Sequence, residues 1–291
     1  MDIALAADDF IRQGTYLRNW SPRTVTTYRT GINALRHAVG NDSDLTKADL
    51  QQFVISMRER GLTPGGCNMY IRTVNSFLTW LHEDGRVPAR RRVKLLSNPP
   101  KAFDGFTDVE MRRVVALRPT GRIERRTWSL FVCLLDTGIR IDEALGLEHE
   151  RVNLDGLTIT VRGKGSRERT IPISVECRKA LFRLRPSGRT GAGRYVFTTS
   201  SGGRMSYRNA FRDLKELCQR AGVEGRHVRP HNIRHYFAVT FLRAGGDLYR
   251  LSRILGHASI STTQLYLRSM GVEHLREGHA RYSPLERVLT R

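Results

Sequence analysis

The sequence predicts a mainly α-helical chain with one small antiparallel β-sheet, and three observations carry that prediction. Apolar residues recur at helical spacing through most of the 291 residues. Polar cap residues stand just before several of those stretches. One region, residues 157–173, alternates with β-branched residues as a pair of strands does. The helical signals lie on both sides of a basic, proline-bearing stretch, so two domains are expected, as the length also favours.

The first domain is expected over residues 1–85. Phe10, Tyr16 and Leu17 begin its apolar periodicity. Ser21 and Pro22 mark a helix start, with serine as N-cap and proline at the first helical position. Tyr28, Ile32 and Leu35 continue that helix until Gly40-Asn41-Asp42 breaks it. Thr46 and Asp49 form a capping box before Phe53, Val54 and Met57. Thr63 and Pro64 open a fourth helix, with Ile71, Val74, Leu78 and Leu81 on one face. The result is a bundle of about four helices whose polar faces offer Arg23, Arg29 and Arg72. Residues 86–104 show no periodicity, carry Arg90-Arg91-Arg92 and Pro99-Pro100, and read as a linker that is either solvated or laid along a polyanion.

The second domain is expected over residues 105–291. Thr107 and Glu110 form a capping box ahead of Met111, Val114 and Val115. Residues 125–136 make a strongly apolar helix that stops at Thr137-Gly138, and another helix begins near Arg140. Two strands, residues 157–161 and 169–173, form a hairpin with Gly163-Lys164-Gly165 at its tip. Residues 195–198 read as a third short strand. From Met205 the pattern is helical to near the end.

Lys and Arg number 49 against 28 Asp and Glu, a formal charge of +21. Both domains share the excess, which points to a polyanionic partner. The four cysteines, Cys67, Cys133, Cys177 and Cys218, are scattered without a CxxC pair, which suits a reducing compartment better than a disulfide or zinc framework. No basic-then-apolar leader and no run near the roughly 20 residues of a membrane span is present. A soluble, intracellular protein that does not engage membranes is expected.

Chemistry is concentrated between Arg140 and Tyr266. His231 and Arg234 are three residues apart on a helix after Pro230, so both can face one phosphate. Arg140 follows a glycine turn at a helix start, and Glu143 one turn on can orient its guanidinium or a histidine. Lys164 sits on a hairpin tip, and Gly256 lets the chain turn sharply before His257. Tyr266 lies nine residues further on a helix. Each alone has an ordinary explanation: the chain has nine tyrosines, arginine is abundant, and Gly-Lys-Gly is a common turn. Together, two arginines, a lysine and two histidines can clamp and protonate one phosphodiester that a tyrosine attacks. A zinc site from Cys218, His227, His231 and His235 is the competing reading, without an HExxH or paired CxxC to support it.

These motifs resemble the tyrosine recombinase (phage integrase, Xer-like) family over almost the whole chain. The resemblance rests on Thr137-Gly-Ile-Arg140-Ile-Asp-Glu143-Ala-Leu145, Gly163-Lys164-Gly165, His231-Asn-Ile-Arg234-His235, and Leu255-Gly256-His257 followed by Ser261-Thr-Thr-Gln-Leu-Tyr266. It implies a helical core-DNA-binding (SAM-like) domain, a linker, and an α+β catalytic domain with a C-terminal tail. It implies Arg140, Lys164, His231, Arg234, His257 and Tyr266 as catalytic residues, with Glu143 in support and Arg23, Arg29, Arg72, Arg90, Arg91 and Arg92 on DNA. The expected activity is site-specific cutting and rejoining through a 3′-phosphotyrosyl intermediate, with no metal, ATP or other cofactor. The expected partner is double-stranded DNA with inverted-repeat core sites. The implied assembly on it is a homo-tetramer, from a monomer or weak oligomer in the free state, with room for accessory proteins. A cytoplasmic, nucleoid-associated protein of a prokaryote or phage is implied. The alternatives are a type IB topoisomerase-like enzyme, which would relax supercoils without a site pair, and a non-catalytic DNA-binding regulator.

Overall fold

The structure, a computed structural model, describes residues 1–98, 104–163, 167–185, 193–257, 259–267 and 285. The chain forms two compact units, Met1–Lys101 and Ala102–Arg291.

The first unit holds α1 (Ile3–Tyr16), α2 (Pro22–Val39), α3 (Lys47–Glu59) and α4 (Pro64–Glu83). Each begins where a short polar side chain satisfies a free backbone amide: Asp2, Ser21, Thr46 and Thr63 accept from the amides of Leu5, Thr24, Asp49 and Gly66. The apolar stripes meet in one core that includes Leu35, Phe53, Leu78 and Phe77. Phe10 lies in its aromatic part, with ring centroids of Trp20, Tyr28, Phe77 and Trp80 5.0–5.4 Å away.

The stretch after α4, expected to be a linker, is laid against this bundle through Leu96. Val87 and Val93 are buried in the core. The Asn75 side chain donates to the Val93 carbonyl at 2.9 Å and accepts from its amide at 2.8 Å. Asn68 does the same with Leu96 at 2.9 and 2.8 Å. An extended segment anchored by two asparagine side chains has no strand partner and no period, so no sequence pattern announces it. Pro99 and Pro100 lie outside the described residues.

The second unit contains α5 (Asp108–Val115), α6 (Arg122–Thr137), α7 (Ile141–Leu145), β1 (Val152–Asn153), β2 (Thr158–Arg162), β3 (Glu168–Pro172), α8 (Val175–Phe182), α9 (Tyr207–Arg220), α10 (Pro230–Arg243), α11 (Leu248–Leu255) and α12 (Ile260–Leu267). The strands form an antiparallel meander in the order β1-β2-β3, with Ile159 opposite Ile171 and Val161 opposite Arg169. Residues 195–198 do not form the expected strand. Tyr195 and Thr198 make single bridges to Glu148 and Arg204, and the third strand is β1 instead. Val196 and Phe197 are buried in the main core, so their apolar character reflects insertion into it and not pairing in a ladder. The apolar face of α6, with Leu130, Phe131 and Leu134 buried, packs against α8, α9 and α10. A smaller apolar cluster, Ala238, Leu242, Leu251, Leu255 and Tyr266, joins α10, α11 and α12. All four cysteines are buried as free thiols. Among the described residues no helix is long and apolar enough to cross a membrane.

Candidate active site

Two left-handed glycines turn the chain toward the site. Gly138 (φ 61°) ends α6, and a Cβ there would sit 2.2 Å from the Phe237 ring. Gly256 (φ 64°) ends α11, and a Cβ there would sit 2.8 Å from the Arg169 guanidinium carbon. Both positions demand positive φ and close approach, which glycine alone meets without strain.

Just past Gly138, Arg140 caps α7. Its amide donates to Glu143 Oε2 at 2.8 Å and its Nη1 to Oε1 at 3.3 Å, leaving the guanidinium about half exposed. Glu143 is buried and is held chiefly by Arg169, whose Nη1 and Nη2 donate to its two oxygens at 2.9 and 2.8 Å. Burial works to raise the Glu143 pKa, but the Arg169 hydrogen bonds and the Arg140 amide hold it below the usual carboxylate range. Arg169 Nε donates to the Ile254 carbonyl at 2.8 Å, so one guanidinium links β3, α7 and the end of α11.

Arg234 on α10 is the most enclosed member, with 3% of its surface exposed. Nη1 donates to the Gly138 carbonyl at 2.8 Å, and Nη2 to the Leu255 carbonyl at 2.9 Å and to His257 Nε2 at 2.8 Å. Nearby Tyr266 works to hold its charge. Loss of hydration and the nearby Arg140 lower its pKa to about 10, which leaves it charged at neutral pH. A guanidinium only donates, so His257 Nε2 must accept. The proton then sits on Nδ1, which donates to Thr263 Oγ1 at 2.8 Å. Burial and the positive charge of Arg234, Arg140 and Arg169 lower the His257 pKa to about 4, consistent with this neutral ring.

Tyr266 on α12 is 7% exposed and packs in the small apolar cluster. Its ring stacks on His257 (centroids 6.1 Å apart, planes at 12°) and meets His235 edge-on at 5.1 Å. Burial and His231 lower the His235 pKa to about 4. His231 itself opens to solvent on the first turn of α10. Loss of hydration, with Arg234 and Arg140, still holds its pKa below normal.

The fold thus brings Arg140, Glu143, His231, Arg234, His257 and Tyr266 together from three helices, α7, α10 and α12, and the turn that ends α11. Lys164 and the C-terminal tail lie outside the described residues, Leu285 excepted. Among the described residues, no three His, Cys, Asp or Glu side chains are grouped to hold a metal, and His227 pairs with Glu110 at 3.0 Å. Sequence reasoning missed Arg169, which it read only as part of a strand. Its signal was register: Arg169 shares a face with the buried Ile171, where an apolar residue is the norm. Thr263 was likewise missed.

In the first unit, Arg23 and Arg29 are exposed on α2. Arg72, Arg90 and Arg92 line one groove of about 500 Å³ together with Arg18 and the rings of Trp20 and Tyr28. Arg91 points elsewhere and donates to the Asp44 carbonyl.

The family model described as phage integrase matches residues 106–271. A tyrosine recombinase XerC from Xylella fastidiosa is 35% identical over 259 residues, covering 86% of this chain and 87% of the relative. A tyrosine recombinase XerC from Oceanobacillus iheyensis is 30% identical over 297 residues, covering 97% of each. The fold is similar to that of the Tn1549 transposon integrase in complex with transposon right end DNA. That match has 19% identity and a TM-score of 0.79, and covers 97% of this chain and 100% of that one. It is also similar to XerH site-specific recombinase bound to difH substrate (17% identity, TM-score 0.70, 94% and 83% coverage). The mainly helical architecture with its three-stranded sheet is therefore that of the integrases, and the chain belongs to the phage integrase family of tyrosine-type site-specific DNA recombinases.

Proposed function

We propose that Tyr266 cuts one DNA strand by attacking a phosphodiester in line, and that its neighbours supply the charge and proton transfers. The observation that supports this best is that Tyr266, buried on its helix, stacks on His257 beside the buried Arg234 guanidinium. A core tyrosine has no need of a buried guanidinium beside it.

The phenolic oxygen bonds to phosphorus as the bond to the 5′-oxygen breaks, leaving a 3′-phosphotyrosyl link and a free 5′-hydroxyl. His231, kept neutral at physiological pH, takes the phenolic proton. Lys164 gives a proton to the departing 5′-oxygen, a role that rests on the family resemblance and on the hairpin between β2 and β3. Negative charge that gathers on the non-bridging oxygens meets Arg140 and Arg234. His257 accepts from Arg234 in the free protein. An arriving phosphate favours the protonated imidazole, so His257 can then donate to the same oxygens. Glu143 and Arg169 hold Arg140 and the Gly256 turn in place. Attack by a 5′-hydroxyl from a partner strand runs the sequence backwards and seals the joint, so the bond energy is retained in the phosphotyrosine and neither ATP nor a metal enters the scheme.

The DNA partner is a pair of duplexes with inverted-repeat core sites, held by four copies of this chain, in the cytoplasm at the nucleoid, with accessory proteins where a site requires them. In the first unit, Arg23, Arg29, Arg72, Arg90 and Arg92 offer the backbone contacts, and Arg91 the weakest because it is already engaged. Incubation with a nicked half-site duplex tests the proposal. An adduct that survives SDS is expected with the native chain and is lost in Tyr266→Phe, while duplex binding persists. Tight binding with no adduct from the native chain would leave only a DNA-binding protein.

A further inference from the structure

A second concentration of positive charge, outside the active site, lies at the other end of α6. A cavity of about 480 Å³ is lined there by Arg122, Arg125, Arg126, Arg183, Arg185 and Arg212. Among the described residues, Asp213 is the only carboxylate lining it, and it is already engaged. It accepts from Arg126 Nη2 at 2.6 Å and from Arg212 Nη2 at 2.8 Å. Arg126 is largely buried, its Nη1 donates to the Thr198 carbonyl at 2.6 Å, and its Nε is buried with no hydrogen-bond partner among the described residues. Loss of hydration lowers the Arg126 pKa, and Arg122 and Arg212 push it the same way. His149, also on the wall, has its pKa lowered by burial and then by Arg185. So many like charges around one cavity repel unless an anion joins them.

The first turn of α6 opens into the same cavity. Its N-cap is Gly121, with no side-chain hydrogen bond to the free amides, so the positive end of a 16-residue helix adds to the field. Thr198, Thr199, Ser200 and Asn209 add hydroxyl and amide groups to the wall. None of Arg140, His231, Arg234, His257 or Tyr266 lines it. At about 1.5 Å per residue the 16 residues of α6 separate this cavity from the Gly138–Arg140 turn by roughly 24 Å. That is on the order of seven base-pair steps of duplex at about 3.4 Å each.

We propose that this cavity is a second phosphate site, which grips a backbone phosphate of the duplex whose scissile phosphate lies at Tyr266. The proposal rests on the DNA-cutting reading above. It adds that α6 acts as a strut between two phosphate clamps, one catalytic and one for positioning. The chemistry shared with a free ligand is that of any phosphate dianion or diester, so the test separates the two sources.

Arg122 and Arg125 are exposed, and neither pairs with a carboxylate among the described residues, so Arg122→Gln/Arg125→Gln should fold. Arg112→Gln/Arg113→Gln on α5 removes the same charge away from the cavity and serves as the control. Binding of a labelled half-site duplex is followed over a range of salt concentrations, and adduct formation is timed at saturating DNA. The expected result is a salt dependence shallower by about one in the cavity variant and unchanged in the control. The adduct rate at saturation should remain that of the native chain, which distinguishes failure of this proposal from failure of the tyrosine chemistry. Equal salt dependence in the two double variants overturns the proposal. In parallel, inorganic pyrophosphate is added to the DNA-free protein and thermal stability is read. Stabilisation lost in the cavity variant, with its DNA salt dependence unaltered, would overturn the DNA source and make a free polyphosphate the ligand.

Discussion

The first unit and the end of the second unit that carries Tyr266 are both helical, yet they are held by different kinds of interaction. In the first, apolar residues from four helices and the strap at Val87 and Val93 share one core, with polar contacts at the helix caps and at two asparagine anchors. Around Tyr266 the apolar cluster is small, and a buried guanidinium bonds carbonyls from two distant turns and a histidine. Hydrophobic burial is non-directional and tolerates exchange at similar volume. Hydrogen bonds to charged groups fix angles, and breaking one strands its partner in a dry site. The difference predicts that substitutions in the first unit alter stability, while those near Tyr266 alter the reaction even when the fold survives.

The largest effect should come from Glu143→Gln, which leaves Arg169 and Arg140 without their common carboxylate. Removing one partner of a buried pair costs about 3–5 kcal/mol, so calorimetry should show a clearly lowered melting temperature. An unchanged melting temperature would mean that the Arg169 link is ornamental. Arg234→Lys comes next. An ammonium cannot reach both carbonyls and His257 at once, and loss of one clamp donor typically slows such reactions on the order of 100-fold or more. Single-turnover adduct formation measures this; a native rate would place the comparison in doubt. In the first unit, Phe77→Leu keeps most of the volume at a fully buried position and should cost less than about 1.5 kcal/mol. The adduct rate of the variant at saturating DNA should match the native one.

The smallest expected effect is on pH dependence. His257 and His235 have folded pKa values of about 4 against an ordinary value near 6.5. The unfolded chain therefore binds more protons than the native one between those limits, and stability is lost as pH falls from about 6.5 toward 4. Above about pH 7 their contribution is constant. Chemical denaturation across this range should show the decline, and His235→Asn should flatten it in part; a flat profile in the native chain would show that the ring environments are far wetter than their packing suggests.

Much of the architecture was legible in the sequence because it depends on local chemistry. The Ser21-Pro22, Thr46–Asp49, Thr63-Pro64 and Thr107–Glu110 signals are each completed within four residues, and each marks a helix start. The hairpin was legible too, since alternation and a glycine-bearing tip lie within 20 residues. The strap through Leu96 was not, because its partners Asn68 and Asn75 come from the helix before it and leave no period. Nothing in the sequence marks the short strand at Val152–Asn153, and residues 195–198 look like a strand, since two residues carry no alternation and a buried Val-Phe pair imitates one.

By itself the sequence determined the helices, their caps, the charge that draws a polyanion, and the order of Arg140, Glu143, His231, Arg234, His257 and Tyr266. The tertiary structure alone decided that Arg169 reaches Glu143 from 26 positions away, that His257 accepts from Arg234 and donates to Thr263, and that six arginines surround a cavity at the far end of α6. Caps and apolar stripes act between neighbours in the chain, so they are written in it locally. Which guanidinium meets which carboxylate depends on how whole helices pack, and that is settled only when the core closes.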